Sequence, residues 1–227
     1  MKARPGRLVV VAGTGTEVGK TWVACHLATG LRSRATTVAA RKPAQSYDGH
    51  DPLTGGDPAA GTDAALLAAA TGEAPTTVCP AHRWYPVAMA PPMAADALGR
   101  ERIALADLVG ELASSWGDDA SRIGLVELAG GLWSPIAHDG DGLDLTRALL
   151  PDAVLLVADA GLGTLNSIRP AVEALSAVAP TVVFLNRYDD TDELHRRNAD
   201  WLAVNDGVRA VVELDVLIRA VVDPPVA

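Results

Sequence analysis

Five short runs of Val, Leu, Ile and Ala recur along the chain, and polar residues do not alternate with the apolar residues inside them. The runs are RLVVVAG (7–13), TTVAARKP (36–43), IGLVELAGG (123–131), AVLLVADAG (153–161) and TVVFLNRYD (181–189). Continuous apolar runs of this length are typical of strands that are covered on both faces, as in a parallel sheet. The pattern therefore predicts buried, mostly parallel strands.

Ala-rich stretches of helical composition lie between these runs. They are TWVACHLATGLRS (21–33), TDAALLAAATG (62–72), ALADLVGELASSW (104–116) and IRPAVEALSAV (168–178). Alternating strands and helices predict an α/β fold with a doubly wound, mostly parallel sheet and helices on both faces. Length alone suits one large domain or two small ones, and we interpret residues 1–227 as a single domain.

Two segments interrupt this pattern. YDGHDPLTGGDPAAG (47–61) is dense in Gly, Pro and Asp, which predicts a loop, and we interpret it as a functional loop inside the domain. VVDPPVA (221–227) is expected to be a frayed end.

The chain is acidic. Lys and Arg total 19 against 28 Asp and Glu, which gives a formal net charge of −9. Nucleic acids and anionic membranes are bound mainly by clustered cations, so this balance argues against both as partners. A local basic pocket for a small phosphate compound is compatible with it.

The cysteines and the N-terminus indicate a cytoplasmic protein. Cys25 and Cys79 are too few for a disulfide framework and lack metal-ligand spacing, so we expect both to be reduced. The basic N-terminus is followed by an apolar run of only Leu8–Ala12, shorter than the apolar core of a signal peptide. No stretch approaches the roughly 18 to 20 apolar residues of a membrane span.

GTGTEVGKT (13–21) lies between the first predicted strand and the first predicted helix, the context of a phosphate-binding loop. Five residues separate Gly13 from Gly19, one more than in the general pattern. Backbone N–H groups and the helix N-terminus suit phosphate, Lys20 can reach the terminal phosphates, and the Thr21 hydroxyl can bind Mg²⁺. A plain glycine-rich turn accounts for this combination less well.

Charged residues follow the next strand ends, where α/β sheets bind ligands. Lys42 is either a solvated surface residue or a group that neutralises transferred phosphate. Glu127 ends the third strand without a positive partner in its own segment, which favours a Mg²⁺ ligand. Asp63 begins a helix, where a helix cap and a Mg²⁺ ligand are equally compatible with the sequence.

Four segments resemble, in order, the signature segments of the dethiobiotin synthetase family: GTGTEVGKT (13–21), KPAQS (42–46), ELAGG (127–131) and GLGTLN (161–166). The family has the same longer phosphate loop. The resemblance implies a P-loop NTPase-like fold and an ATP-dependent cyclo-ligase that converts 7,8-diaminononanoate, CO₂ and ATP to dethiobiotin, ADP and phosphate in biotin biosynthesis. In that reaction one amine becomes a carbamate, the γ-phosphate of ATP activates it as a mixed anhydride, and the second amine closes the ring.

The resemblance also implies site residues. The catalytic residues are Lys20, Lys42 and Thr16, with Lys42 beside the carbamate and the transferred phosphoryl group. The nucleotide-binding residues are Gly15, Thr16, Glu17, Val18, Gly19, Lys20, Thr21 and Asn186, of which Asn186 reads the adenine. The Mg²⁺ ligands are Thr21, Asp63 and Glu127.

The diamine site is implied to lie at the interface of a homodimer. Lys42 and Ser46 line it from one subunit, and the second subunit donates a helix N-terminus that holds the substrate carboxylate. The matching residues here are Gly163, Thr164, Leu165 and Asn166. Free N–H groups at a helix start suit a carboxylate, although a plain helix-capping turn also fits the sequence.

The chain departs from the family in three segments. Leu128 replaces the first glycine of the usual Glu-Gly-Ala-Gly-Gly, so either the turn tolerates β geometry or the site is shifted. MAPPMAA (89–95) keeps Pro91 but lacks the family's histidine. AVVELDVL (210–217) replaces a Gly-x-Ile-Pro stretch at the base, so the sequence predicts triphosphate binding without fixing the nucleobase. Trp133 and His138 match no family position, and we interpret them as structural or as pocket variation.

Three other functions remain compatible with the loop. A switch or partition ATPase generally carries a lysine five positions before the Gly-Lys-Thr lysine, where this chain has Gly15. A cobyrinate-type amidase needs a nucleophilic cysteine, and neither Cys25 nor Cys79 has a suitable setting. A ligase of the same family with a changed substrate is kept open by Leu128 and by the proline segment.

Overall fold

The computed structural model of the chain describes residues 4–49, 61–117 and 122–222. Most of the loop predicted at 47–61, and residues 223–227 of the predicted frayed end, therefore lie outside the described residues. Within the described ranges, no helix is both long enough and apolar enough to cross a membrane.

All five predicted strands are present and form one parallel sheet. In chain order the strands are β1 (Arg7–Gly13), β2 (Val38–Arg41), β3 (Gln45–Ser46), β4 (Trp84–Tyr85), β5 (Ile123–Glu127), β6 (Pro135–Ala137), β7 (Gly140–Asp141), β8 (Ala153–Asp159) and β9 (Thr181–Asn186). The sheet has the strand order β2-β5-β1-β8-β9, and its neighbouring pairs are parallel. Two short separate ladders join β3 to β4 and β6 to β7.

The predicted helices are also present. The helices are α1 (Lys20–Arg32), α2 (Asp63–Thr71), α3 (Pro75–Val78), α4 (Pro91–Ala97), α5 (Leu105–Ser114), α6 (Gly142–Leu149), α7 (Thr164–Ser176), α8 (Glu193–Asn205) and α9 (Leu214–Val222). The four predicted stretches correspond to α1, α2, α5 and α7. The sequence pattern did not predict α3, α4, α6, α8 or α9.

The side chains of β1 alternate between two apolar clusters, one on each face of the sheet. Leu8, Val10 and Ala12 pack in the cluster that includes residues of α5, α6 and α7. Val9 and Val11 pack in the cluster that includes residues of α1, α2 and α9. Helices therefore cover both faces, and the predicted doubly wound α/β fold is confirmed.

The C-terminal stretch, whose fold was not predicted, packs along the β9 edge of the sheet. The Val211 N–H donates to the Val183 carbonyl at 2.8 Å, and the Val211 carbonyl accepts from the Leu185 N–H at 2.9 Å. On α1, Gly30 leaves room for α9, since a Cβ atom there would lie 2.3 Å from Ile218 Cδ1. The chain after β9 thus returns to the side of the sheet on which α1 lies.

Candidate functional site

The phosphate loop connects the end of β1 to the start of α1, as predicted. Glu17 and Gly19 adopt left-handed backbone conformations, with φ values of 60° and 90°. The loop is held by its neighbours: the Thr14 N–H donates to the Val157 carbonyl at 3.0 Å, and Asn186 Nδ2 donates to the Val18 carbonyl at 2.9 Å. A Cβ atom on Gly19 would lie 2.1 Å from Asn186 Nδ2, so only glycine fits there.

Lys20 is buried and turned back over the loop. Its Nζ donates to the Gly15 carbonyl at 2.9 Å. Burial, together with the neighbouring charge of Lys42, lowers the pKa of Lys20 to about 8, against the opposing effect of two carboxylates. An anion placed on the loop would favour the charged form of this lysine.

Lys42 is not a solvated surface residue, because only 2% of its side chain is exposed. Its Nζ lies 2.6 Å from Asp63 Oδ2 and 2.6 Å from Glu127 Oε1, and 3.3 Å from the Leu128 carbonyl. Burial alone would lower the pKa of Lys42, but the two carboxylates outweigh it and raise the pKa above its usual value. The sequence therefore brings a charged lysine and two distant acids into one buried cluster.

The Thr21 hydroxyl meets the same two acids. Its Oγ1 lies 2.8 Å from Asp63 Oδ1 and 2.8 Å from Glu127 Oε1. A hydroxyl has one proton, so it can donate to only one of these oxygens at a time. Burial raises the pKa of Glu127, whereas Lys42 holds the pKa of Asp63 below its usual value against the effect of burial.

These three oxygen-bearing side chains fit a magnesium ion. Glu127 Oε2 is buried and has no hydrogen-bond partner among the described residues, which leaves a carboxylate oxygen available to a cation. Hard divalent cations prefer carboxylate and hydroxyl oxygens. Asp63 is not the cap of α2, because the side chain of Thr62 accepts the capping hydrogen bond from the Ala65 N–H.

Many of the predicted residues line a cleft of about 910 Å³. Its lining includes these residues of the sequence hypothesis: Thr16, Glu17, Gly19, Lys20, Thr21, Lys42, Ser46, Asp63 and Glu127. Ser46 Oγ is buried and has no hydrogen-bond partner in the described part of the chain, so it can bind a ligand. Gln45 and Arg187 also line the cleft and were missed from the sequence.

A second cavity of about 630 Å³ shares Gly19 and Arg187 with the cleft. Asn186 and Trp22 line it, together with residues 212–215 of the stretch that replaces the family's base segment. Trp22 is half exposed and lies 3.9 Å, centroid to centroid, from the ring of His26. The cavity offers an aromatic face and an amide next to the phosphate loop.

The departure at Leu128 does not shift the site. Leu128 does not have a positive φ; the left-handed position of this turn falls on Gly130, with φ 71°. The Leu128 side chain is fully buried, and its N–H donates to the Val11 carbonyl at 3.0 Å. The turn therefore accepts leucine, and Glu127 still points to Thr21 and Lys42.

The proline segment and His138 are both accounted for by the fold. Pro91 starts α4, and residues 88–91 line the cleft. The His138 side chain is only 8% exposed, with Nε2 3.1 Å from Asp96 Oδ1 and Nδ1 accepting from the Ile103 N–H at 2.9 Å. Trp133 is half exposed. Of the two interpretations of His138, structural residue and pocket variation, these contacts favour the structural one.

The N-terminus of α7 does not belong to the described lining of the cleft of its own chain. Residues 163–166 are not among the described residues that line the Lys42 cleft. Gly163 has a φ of 92° and caps α7, and the first-turn N–H groups of a helix have no acceptor within the helix. Leu162, immediately before, is 93% exposed.

The cysteines do not provide a nucleophile. Both are free thiols, and burial raises the pKa of each to about 12. A thiol with that pKa is almost entirely protonated at neutral pH, and the thiolate is the reactive form. This argues against the amidase alternative.

Comparison with known proteins agrees with the geometry. A family model described as an AAA domain matches residues 7–221. The chain is 39% identical over 167 residues to the ATP-dependent dethiobiotin synthetase BioD of Caulobacter sp. (strain K31), covering 74% of this chain and 69% of that protein. It is 38% identical over 208 residues to the protein of the same name from Rhodococcus jostii (strain RHA1), covering 90% and 84%.

Solved structures add a likeness in fold. The crystal structure of a DUF1611 family protein from Anabaena variabilis superposes with a TM-score of 0.56 at 19% identity. The match covers 96% of this chain and 57% of that one. At this identity the likeness shows the α/β fold alone.

Proposed function

This chain belongs to the ATP-dependent dethiobiotin synthetase family, and we propose that the cleft around Lys42 is where it carries out the reaction of that family. It is an ATP-dependent cyclo-ligase of biotin biosynthesis that acts on 7,8-diaminononanoate, CO₂ and ATP. One observation carries the assignment of the chemistry to this cleft: Lys42, buried beside the phosphate loop, is held by two carboxylates at 2.6 Å.

The phosphate loop and Lys20 hold the triphosphate of ATP. The loop N–H groups and the N-terminus of α1 bind phosphate oxygens, and Lys20 leaves the Gly15 carbonyl to bind the terminal phosphates. Thr16 and Glu17 lie on the side of the loop that faces the cleft. In this proposal the γ-phosphate lies next to Lys42.

Lys42 neutralises the carbamate and the transferred phosphoryl group. Phosphoryl transfer depends mainly on positioning and on stabilisation of developing negative charge. An ammonium that is already buried and charged needs little rearrangement when that charge develops. Ser46, whose hydroxyl has no hydrogen-bond partner among the described residues, lies in the same cleft and binds the diamine.

Thr21, Asp63 and Glu127 would hold Mg²⁺, which supplies charge neutralisation for the phosphates when bound. The support is the unpartnered Glu127 Oε2, within the described part of the chain, and the shared Thr21 contacts at 2.8 Å. Mg²⁺ would compete with Lys42 for the two carboxylates. That competition would free the lysine for the substrate.

Glu127→Gln is expected to raise the Mg²⁺ concentration for half-maximal activity by about tenfold or more, because a carboxylate ligand becomes a neutral amide. The measurement is a Mg²⁺ titration of dethiobiotin formation at saturating ATP. Glu193→Gln is the matched control, since Glu193 is 68% exposed on α8. An unchanged Mg²⁺ requirement in Glu127→Gln would remove Glu127 from the metal site.

The adenine of ATP occupies the second cavity, between Asn186 and Trp22. Stacking of a base on an aromatic side chain is worth about 1–3 kcal/mol, so Trp22→Ala should weaken ATP binding about tenfold, and Trp22→Phe much less. Calorimetric titration with ATP measures this. Trp201→Ala is the matched control, because Trp201 and Trp22 are each 49% exposed. Equal ATP affinity in Trp22→Ala and wild type would place the base elsewhere.

We further propose that the enzyme is a homodimer with shared sites. The exposed Leu162, and the absence of residues 163–166 from the described lining of their own cleft, support the donation of these residues to a partner. The first-turn N–H groups of α7 would then hold the substrate carboxylate.

We also propose that residues 1–227 form one domain and that the protein is cytoplasmic. The family model, which spans residues 7–221, supports a single domain. The two free thiols support a reducing compartment such as the cytoplasm.

The proposed reaction is tested by measuring its products. Purified protein is incubated with 7,8-diaminononanoate, bicarbonate, Mg²⁺ and ATP, and dethiobiotin is measured by mass spectrometry alongside ADP. We expect stoichiometric dethiobiotin and ADP. ATP hydrolysis without dethiobiotin would contradict the diamine as substrate and would favour a ligase with a changed substrate or a switch ATPase.

A further inference from the structure

Arg187 stands at the junction of the two cavities. It follows directly after β9 and is the arginine in the described lining of both the cleft and the second cavity. Its backbone is left-handed, with φ 57°. A non-glycine residue in that conformation carries strain, which is frequent at binding sites. The residue thus lies where the triphosphate and the nucleoside of a bound nucleotide meet.

Two contacts fix the guanidinium there, although its side chain is 60% exposed. Nη1 donates to Asp159 Oδ2 at 3.0 Å, and Nη2 donates to the Glu17 carbonyl at 2.9 Å. Asp159 is itself held, since its Oδ1 accepts from the Gly161 N–H at 2.9 Å. A guanidinium has five N–H donors. These two contacts use two of the five donors and leave three for a ligand. They also orient the arginine before a ligand binds.

The charge balance of the cleft makes this cation significant. Among the described residues, the ionisable part of its lining consists of three cations and three carboxylates: Lys20, Lys42, Arg187, Glu17, Asp63 and Glu127. Lys42 is committed to two of those carboxylates. Without Arg187, this lining would have a net negative charge, which opposes the binding of a polyphosphate.

We propose that Arg187 is a phosphate-binding residue for the nucleotide, contacting the phosphates nearest the ribose, and that Asp159 is the residue that positions it. The inference rests on the nucleotide site of the proposed function. Charge-assisted hydrogen bonds from a pre-oriented guanidinium to phosphate oxygens are among the strong ones in proteins. Arg187 also joins the phosphate loop to the end of β8, so the same contact holds the loop while the nucleotide is bound.

The experiment measures binding of ADP by calorimetric titration to wild type, Arg187→Ala, Arg187→Lys and Asp159→Asn. We expect Arg187→Ala to weaken ADP binding about tenfold or more. Arg187→Lys should restore only part of the affinity, because one ammonium cannot reproduce the planar guanidinium fork. Asp159→Asn should give a smaller loss. Arg169→Ala is the matched control, since Arg169 is 47% exposed and paired with Asp206 at 2.9 Å.

Adenosine separates a phosphate contact from a general loss of the site. Its affinity, measured by competition with ADP, should be the same in Arg187→Ala and wild type, because adenosine has no phosphate. Equal losses for ADP and adenosine, or an ADP affinity within twofold of wild type, would overturn the proposal. Since ADP binding needs no diamine, weakened ADP binding supports the Arg187 proposal even if the dethiobiotin assay fails.

Discussion

Lys42→Ala is expected to lower the rate of dethiobiotin formation by about 10²- to 10³-fold while ADP still binds. Lys42 is a buried cation next to the proposed γ-phosphate position, and removal of one preorganised charge of this kind removes stabilisation of the transition state. Lys20 and the loop N–H groups are unchanged, so ADP affinity should stay within a few-fold of wild type. The measurements are mass-spectrometric dethiobiotin rates and calorimetric titration with ADP.

The same substitution has a predictable effect on stability. Without Lys42, Asp63 and Glu127 face each other across the Thr21 hydroxyl, and an unpaired buried charge costs about 3–5 kcal/mol. Mg²⁺ should recover part of this loss, because it would bind the same oxygens. We therefore expect Mg²⁺ to raise the Tm of Lys42→Ala more than that of wild type, without restoring activity.

Lys42→Met is the companion variant, because it keeps most of the volume of the lysine without its charge. Both variants should lose activity to a similar extent if charge is what matters. Dethiobiotin formation within tenfold of wild type in either variant would remove Lys42 from the chemistry. Loss of ADP binding together with activity would instead indicate a collapsed phosphate loop.

The sheet could be predicted from the sequence because its strands are buried on both faces. The apolar run of β8 is continuous because almost every one of its side chains is buried, whichever face it points to. α8 was missed because only Asn198 and Leu202 of its residues are buried, which leaves too few apolar positions for a pattern. α6 carries a readable signal, the capping box of Asp141 and Asp144, in a short helix.

Part of the candidate site could be predicted because some of its residues lie at the carboxyl ends of strands, where α/β sheets bind ligands. That rule located Lys42 and Glu127, but the burial of Lys42 could not be read locally, since its partner Glu127 is 85 residues away. Arg187 satisfies the same rule, since it follows Asn186 directly at the end of β9, but the family motif at this position indicates only the asparagine. The second cavity depends on the return of residues 212–215 to β9, which is a tertiary feature.

The shared-site proposal predicts a recovery of activity when two impaired variants form one dimer. Asn166→Asp places a negative charge in the first turn of α7, where it suits the helix dipole but repels a substrate carboxylate. We therefore expect a folded protein whose KM for the diamine rises by about tenfold or more, with unchanged ADP affinity. Asn166→Ala, which adds no charge, is the control and should retain most activity.

Co-expression of Lys42→Ala and Asn166→Asp chains, followed by purification on two different tags, gives a heterodimer. If α7 of one subunit serves the cleft of the other, one of its two sites combines an intact Lys42 with an intact α7. Activity should then return to about half of the wild-type value per dimer at low diamine concentration. If each chain completes its own site, both sites carry a defect and the heterodimer stays as impaired as its parents. Geometry favours the first result, because residues 163–166 lie outside the described lining of their own cleft.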